Sequence, residues 1–188
     1  MTRRLHPNQI LLPGFVLGLT MVVIGVAWVG VLRDRDVIDE WYPGVNIALE
    51  IGLGIAVGVL GIVLVLILSE HIPAMRRLRE KIAQLLQFEA LRPWHALAFG
   101  LLAGVPEEIL FRGAIQPVTG LIFAAIIFGV LHAITPTYMI YAVAAGLLLG
   151  LIAAWRGDIW AATAAHFTYD TGLFMAMAWR ARGSGTSE

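Results

Sequence analysis

The chain has 188 residues, of which 59% are hydrophobic and only 14% charged, and its 13 basic and 13 acidic residues cancel. A soluble domain is about half apolar and about a quarter charged, so the excess here has to be solvated by lipid, and the balanced charge offers no footing for nucleic acid. Cysteine is absent, which excludes disulfides, thiolate metal sites and a cysteine nucleophile.

A hydrocarbon core of ~30 Å needs about 20 apolar residues per helix, and the chain contains about six candidate stretches, the fourth and fifth of them short for a full span and expected to tilt or to stop short of one surface. The first, 11–32, follows Arg3 and Arg4, exceeds a secretory h-region and lacks an Ala-x-Ala site. It therefore reads as an uncleaved span. A mildly acidic loop, 33–43, leads to the second span, 45–68. The loop that follows, 70–92, carries Arg76, Arg77, Arg79, Lys81 and Arg92. The positive-inside rule makes it cytoplasmic, and both termini with it; Arg156 is the one cation on the wrong side. Within this loop Met75, Leu78, Ile82, Leu85 and Leu86 recur at helical spacing opposite a basic face, predicting an amphipathic helix on the inner leaflet.

The third span, 94–117, is interrupted by Glu107, Glu108 and Arg112. The fourth, fifth and sixth are 120–134, 138–155 and 159–179, joined by turns so short that these helices must be antiparallel neighbours. The expected fold is thus all-α, a polytopic transmembrane helical bundle of about six membrane spans. Residues 1–93 form an N-terminal two-span hairpin plus amphipathic helix, 94–182 a four-helix core, and 183–188 a Gly/Ser-rich disordered tail. Gly14-x-x-x-Gly18, Gly54-x-x-x-Gly58 and Gly146-x-x-x-Gly150 are close-packing faces. Trp28, Trp41, Trp94, Trp155, Trp160 and Trp179 lie near span ends and read as interfacial anchors. His6, His71 and His95 fall at surfaces and receive no role.

Ionisable groups inside a membrane are costly and mark function. They cluster in the second half: Glu107, Glu108 and Arg112 on the third span, His132 on the fourth, His166 and Asp170 on the sixth. Glu107 and His132 each lie about 12 residues from the turn between their helices, ~18 Å at 1.5 Å per residue. His166 lies ~13 Å beyond a turn on the same side. Three helices therefore bring a carboxylate and two imidazoles to similar depth. Glu108 and Arg112, four apart, share a face and pair; His166 and Asp170 share one too, so Asp170 is placed to fix the His166 tautomer. A carboxylate beside histidines in a low-dielectric cavity serves as a general base toward water. The same set suits a divalent metal such as zinc, ligated by Glu107, His132 and His166 with Asp170 as a further ligand.

In order and spacing, Glu107-Glu108-x-x-x-Arg112, Phe128-x-x-x-His132 and His166-x-x-x-Asp170 resemble the three signature motifs of the CAAX-protease and bacteriocin-processing (CPBP) family. That family includes the type II CAAX prenyl endopeptidases and bacterial abortive-infection or self-immunity proteins. The resemblance implies an intramembrane endopeptidase in a bacterial or archaeal cell membrane, acting on a peptide segment at the membrane. Glu107 would activate water with His132 assisting, His166 and Asp170 would polarise the scissile carbonyl and stabilise the oxyanion, and Glu108 and Arg112 would support them. The family has been regarded both as metal-dependent and as a metal-free glutamate type. Asp170 stands where the prenyl-endopeptidase branch typically has Asn, so it must be protonated, orient His166, or ligate a metal.

Other readings meet obstacles. No His-Glu-x-x-His or Gly-x-Ser-Gly occurs, against zincin and rhomboid-like proteases. A transporter with a proton or cation relay would show paired repeats with broken helices, and none is evident. An immunity or partner-binding protein that keeps the pocket without cleaving is the remaining alternative.

Overall fold

The computed structural model describes residues 4–184. Arg3 and residues 185–188 of the expected tail lie outside the described residues. Helices make up almost all of the rest, and no strand forms among the described residues beyond one bridge between Leu5 and Leu86.

Local chemistry sets the helix starts. α1 (Pro7–Ala27) begins with proline in its first turn, where the missing N–H costs nothing, and the His6 side chain accepts from Asn8 N at 3.2 Å. It runs on through a wider turn, Trp28–Leu32. The short α2 (Val37–Trp41) is capped by Asp36, which accepts from Ile38 N at 2.7 Å. Asn46 caps α3 (Ile47–His71). α4 (Pro73–Leu85) is the amphipathic helix; Leu78 is buried and Ile82 packs on the core formed by Leu86, Phe88, Phe99 and Ala178. Arg76, Arg77, Glu80 and Lys81 are exposed on its other face. α5 (Pro93–Glu108) continues without a break through a π-helical segment, Ile109–Ile115, into α6 (Gln116–Thr119). α7 (Leu121–Leu131), α8 (Pro136–Arg156) and α9 (Trp160–Ser184) complete the bundle.

Among the described residues three helical stretches are long and apolar enough to cross a membrane: Pro7–Leu32, Ile47–His71 and Pro136–Arg156. The other three expected spans exist as helices but differ in character. α5 with its continuation, and α9, carry the polar cluster. α7 has eleven residues, ~16 Å of rise, about half a hydrocarbon core. The fourth span therefore stops at Leu131, short of the expected 134. Thr135 precedes Pro136, and a residue before proline is pushed out of the α region; Thr135 sits at φ −142°, ψ 157°, where its hydroxyl caps α8 by accepting from Tyr138 N at 3.1 Å.

The glycine pairs are packing faces, as expected. A Cβ on Gly58 would lie 2.7 Å from the Ala165 carbonyl oxygen and from Thr168 Cβ, and Gly54 meets α9 at Ala164 and Ala165. Gly18 meets Pro106 of α5 at 3.0 Å, and Gly146 meets Ala125 of α7 at 3.3 Å. α3 is thereby held on α9, α1 on α5, and α7 on α8. Arg156, the cation that breaks the charge rule, is answered by Glu50 at the start of α3. Its Nε and Nη2 donate to the two carboxylate oxygens at 2.9 and 2.6 Å, and Glu50 is 1% exposed.

Several surface expectations need correction. His95 is buried, accepting from Arg92 N at 2.9 Å and pairing with Asn8 Oδ1 at 2.7 Å. Trp41 and Trp160 are both half-buried: Trp160 Nε1 donates to the Trp41 carbonyl at 2.7 Å, and Trp41 Nε1 is buried beside Gly113. Trp155 and Trp179 remain largely exposed, consistent with anchoring.

Candidate active site

Glu107 and Glu108 end α5, one residue after Pro106. A proline inside a helix removes an N–H and crowds the carbonyl four residues back, and here the helix widens immediately afterwards into the π turn Ile109–Ile115. Such wide turns recur at functional sites. Within this one Leu110, Phe111, Arg112, Gly113 and Ala114 are all buried. His132 caps the C-terminus of α7, and His166 and Asp170 project from the middle of α9.

All six residues singled out from the sequence come together. Glu107 Oε2 lies 3.7 Å from His132 Nε2 and 4.0 Å from His166 Nε2. His166 Nε2 lies 3.6 Å from Asp170 Oδ2. Glu108, fully buried, accepts on one oxygen from Arg112 Nη1 and from His166 Nδ1, both at 2.8 Å. Arg112 Nη2 donates to the Gly146 carbonyl at 2.9 Å, tying the cluster to α8. The assignment of partners differs from expectation in one respect. Glu108, not Asp170, holds His166 at hydrogen-bond distance; Asp170 stands beyond that distance on the other ring nitrogen.

These bonds set the tautomers. A carbonyl oxygen only accepts, so His132 Nδ1, 2.7 Å from the Phe128 carbonyl, must carry its proton and present Nε2 to Glu107. His166 Nδ1 donates to Glu108 in the same way and presents Nε2 to Glu107 and Asp170. Phe128 fixes the rings: its centroid is 4.4 Å from that of His132 in a stack, 6.1 Å from that of His166 edge-on, and 4.9 Å from the Arg112 guanidinium carbon. Glu107 Oε2 is buried with no protein hydrogen-bond partner.

The cluster forms one wall of a cavity of about 550 Å³. The rest of the lining is apolar and runs past Leu17, Val57 and Leu64 to Leu68, Leu86 and Phe99, at the end of the bundle where α3 meets α4. Three tyrosines, Tyr138, Tyr141 and Tyr169, also face this cavity. The hydroxyls of Tyr141 and Tyr169 are hydrogen-bonded to each other, and the Tyr138 ring stands 5.9 Å from that of His132. Tyr138 and Tyr141 escaped the sequence reading. Their spacing of three, at the start of an apolar helix directly after His132, is the signal that was available.

The metal expectation fits poorly. Ligands at 2.0–2.1 Å around a tetrahedral zinc stand about 3.3 Å apart, whereas Glu107 Oε2 is 3.7 and 4.0 Å from the two imidazole nitrogens. Among the described residues no group of three or more His, Asp or Glu side chains is arranged to hold a metal ion. The metalloprotease reading is therefore unsupported.

Comparison with known proteins bears on the same region. Residues 89–172 match the family described as Type II CAAX prenyl endopeptidase Rce1-like, a stretch that includes all six clustered residues and bears out the resemblance carried by the three motifs. The chain is 35% identical over 79 residues to the Uncharacterized protein YpbD of Bacillus subtilis (strain 168), covering 40% of this chain and 42% of that one. The chain thus spans less than half the length of that relative. No solved structure matches the chain.

Proposed function

We propose that this chain, Rce1-like over residues 89–172, is an intramembrane endopeptidase that hydrolyses a peptide bond in a membrane-associated substrate. The observation that carries this reading is the Glu107 carboxylate. Its buried Oε2 has no protein partner and faces the Nε2 atoms of two rings at 3.7 and 4.0 Å. Those separations suit one water molecule that donates to Glu107 Oε2 and to His132 Nε2 and accepts from His166, which in this reading carries a proton on each ring nitrogen.

In this reading Glu107 takes a proton from that water, and His132 Nε2 steers it. The oxygen attacks the scissile carbonyl carbon, forming a C–O bond. His166 as imidazolium, its Nδ1–H held by Glu108, donates its Nε2–H, with a protonated Asp170 beside it, to the oxygen on which negative charge develops, the kind of stabilisation that contributes most in acyl-transfer chemistry. Collapse breaks the C–N bond as Glu107 returns its proton to the leaving amine. Glu108 and Arg112 position rather than react: Glu108 fixes the His166 ring, and Arg112 offsets the Glu108 charge. The apolar cavity holds a lipid-embedded segment of the substrate and limits bulk water, which strengthens every electrostatic contact at the site.

The test is cleavage by the purified protein in lipid vesicles, in water enriched in ¹⁸O, of a library of membrane-anchored peptides. One heavy oxygen in each new carboxylate is the expected result. Intact peptides throughout, with the protein folded, would remove the peptidase reading.

A further inference from the structure

A second cavity, of about 380 Å³, lies at the end of the bundle where α8 turns into α9, and its lining includes Trp41, Arg112, Gln116, Leu121 and Asp158. It is unlike the first in chemistry. Trp41 Nε1, Gln116 Oε1 and Asp158 Oδ2 are all buried and have no protein hydrogen-bond partner. One is a donor and two are acceptors. Asp158 is 4% exposed, and its other oxygen is already committed, accepting from Trp160 N at 2.7 Å. A buried polar group left unpaired costs about 1–3 kcal/mol, so three around one space call for an occupant that both donates and accepts. Water does so, and the space holds several molecules at ~30 Å³ each.

A polar row lies between the two cavities. Glu108, Arg112 and Gln116 are four apart on one continuous helix and follow its buried side through the π turn. Arg112 donates to Glu108 at one end of its reach and lines the second cavity at the other. Glu108 Oε2 is a further buried oxygen without a protein partner. The first cavity, by contrast, is lined over most of its length by aliphatic and aromatic side chains, and a substrate segment lying in it excludes water from that direction. Hydrolysis consumes one water per turnover.

We propose that the second cavity is a hydrated inlet that delivers water to Glu107 from the side opposite the apolar cavity, along Gln116, Arg112 and Glu108. The delivery role rests on the peptidase reading; the hydration of the chamber does not.

The chain has no cysteine, so one introduced thiol reports alone. Leu121→Cys places a smaller side chain in the wall of the chamber. Phe123→Cys, on the same helix at a position 66% exposed on the outer surface, is the comparison. Both proteins, in lipid vesicles, are treated with the cationic reagent trimethylammonium-ethyl methanethiosulfonate, which attacks thiolate. Apolar surroundings suppress the thiolate, so Leu121→Cys is expected to react roughly tenfold faster or more than Phe123→Cys. Before treatment Leu121→Cys cleaves as the parent does; after it, kcat falls several-fold with KM unchanged and the melting temperature retained. Gln116→Leu, with no reagent, shows the same split between kcat and KM. A Leu121→Cys thiol no more reactive than that of Phe123→Cys overturns the hydrated chamber. Full turnover after complete modification overturns delivery. If the parent cleaved nothing while the Leu121→Cys thiol still reacted rapidly, delivery would fall with the peptidase reading and the chamber would stand.

Discussion

One oxygen of Glu108 lies 2.8 Å from Arg112 Nη1 and 2.8 Å from His166 Nδ1. A carboxylate with no exposure is thereby shared between a guanidinium on its own helix and an imidazole on α9. The pairing with Arg112 compensates its charge, and the bond to α9 turns the His166 ring so that its other nitrogen faces Glu107.

Removing one member of a buried charge pair leaves the other uncompensated. Arg112→Met is expected to destabilise the protein by about 3–5 kcal/mol, read as a lowered melting temperature in detergent. The double variant Glu108→Met/Arg112→Met recovers most of that loss because no lone charge remains. Peptidase activity does not return, since His166 has lost its anchor. Recovery of both stability and activity would mean that Glu108 does nothing for the His166 ring.

The contact between α5 and α9 predicts a second effect. A Cβ on Gly104 would stand 2.8 Å from Phe167 N, beside His166. Gly104→Val overpacks this crossing, at a cost of about 1–3 kcal/mol. It also separates Glu107 from His166, so cleavage falls more than the lost stability alone explains. Gly52→Val is the control, because a Cβ there has nothing within 4 Å. Equal activity in the two variants would argue that the spacing of α5 and α9 is not critical.

At the other end of the bundle, Arg156→Met leaves Glu50 buried without its bidentate partner. Destabilisation of about 3–5 kcal/mol is expected, and the double variant Glu50→Met/Arg156→Met is expected to be nearer the parent. Thermal unfolding of the parent, Arg156→Met, Glu50→Met and the double variant measures the coupling directly. Additive effects would show that the bridge contributes nothing beyond its two separate residues.

The separations around Glu107 predict the outcome of chelation. Cleavage in the proposed reading uses no metal, so exhaustive dialysis against a chelator is expected to leave kcat within about twofold of the untreated protein, a change of under about 0.5 kcal/mol in the barrier. Loss of activity that zinc restores would show that Glu107, His132 and His166 close on an ion more tightly than their present distances allow.

Much of this was legible in the sequence because lipid makes polarity expensive. Six ionisable residues inside apolar helices had to converge, and counting residues from the turns placed Glu107, His132 and His166 at one depth. The glycine pairs were equally readable, since a missing Cβ matters only where helices touch. What the sequence hid is tertiary. Glu108 holds His166 as well as Arg112, and no periodicity announces that bond between helices or the π turn after Pro106. Glu50 and Arg156 are 106 residues apart, so neither pattern nor charge count pairs them. Tyr138 and Tyr141 look like ordinary interfacial aromatics until α8 is packed beside α9. Trp41 and Trp160 look the same, but Trp41 lines the second cavity and Trp160 is hydrogen-bonded to its carbonyl.

The account stands on Glu107 as the base. Glu107→Gln keeps the shape of the side chain and removes its capacity to take a proton. The decisive comparison is the single-turnover cleavage rate of parent and Glu107→Gln proteins of matched melting temperature, on one membrane-anchored peptide. Loss of a general base lowers the rate by about 10²–10⁴-fold, and a drop in that range is expected here with substrate binding preserved. A Glu107→Gln protein that cleaves within about tenfold of the parent, short of that range, would contradict the assignment and the water position drawn from it.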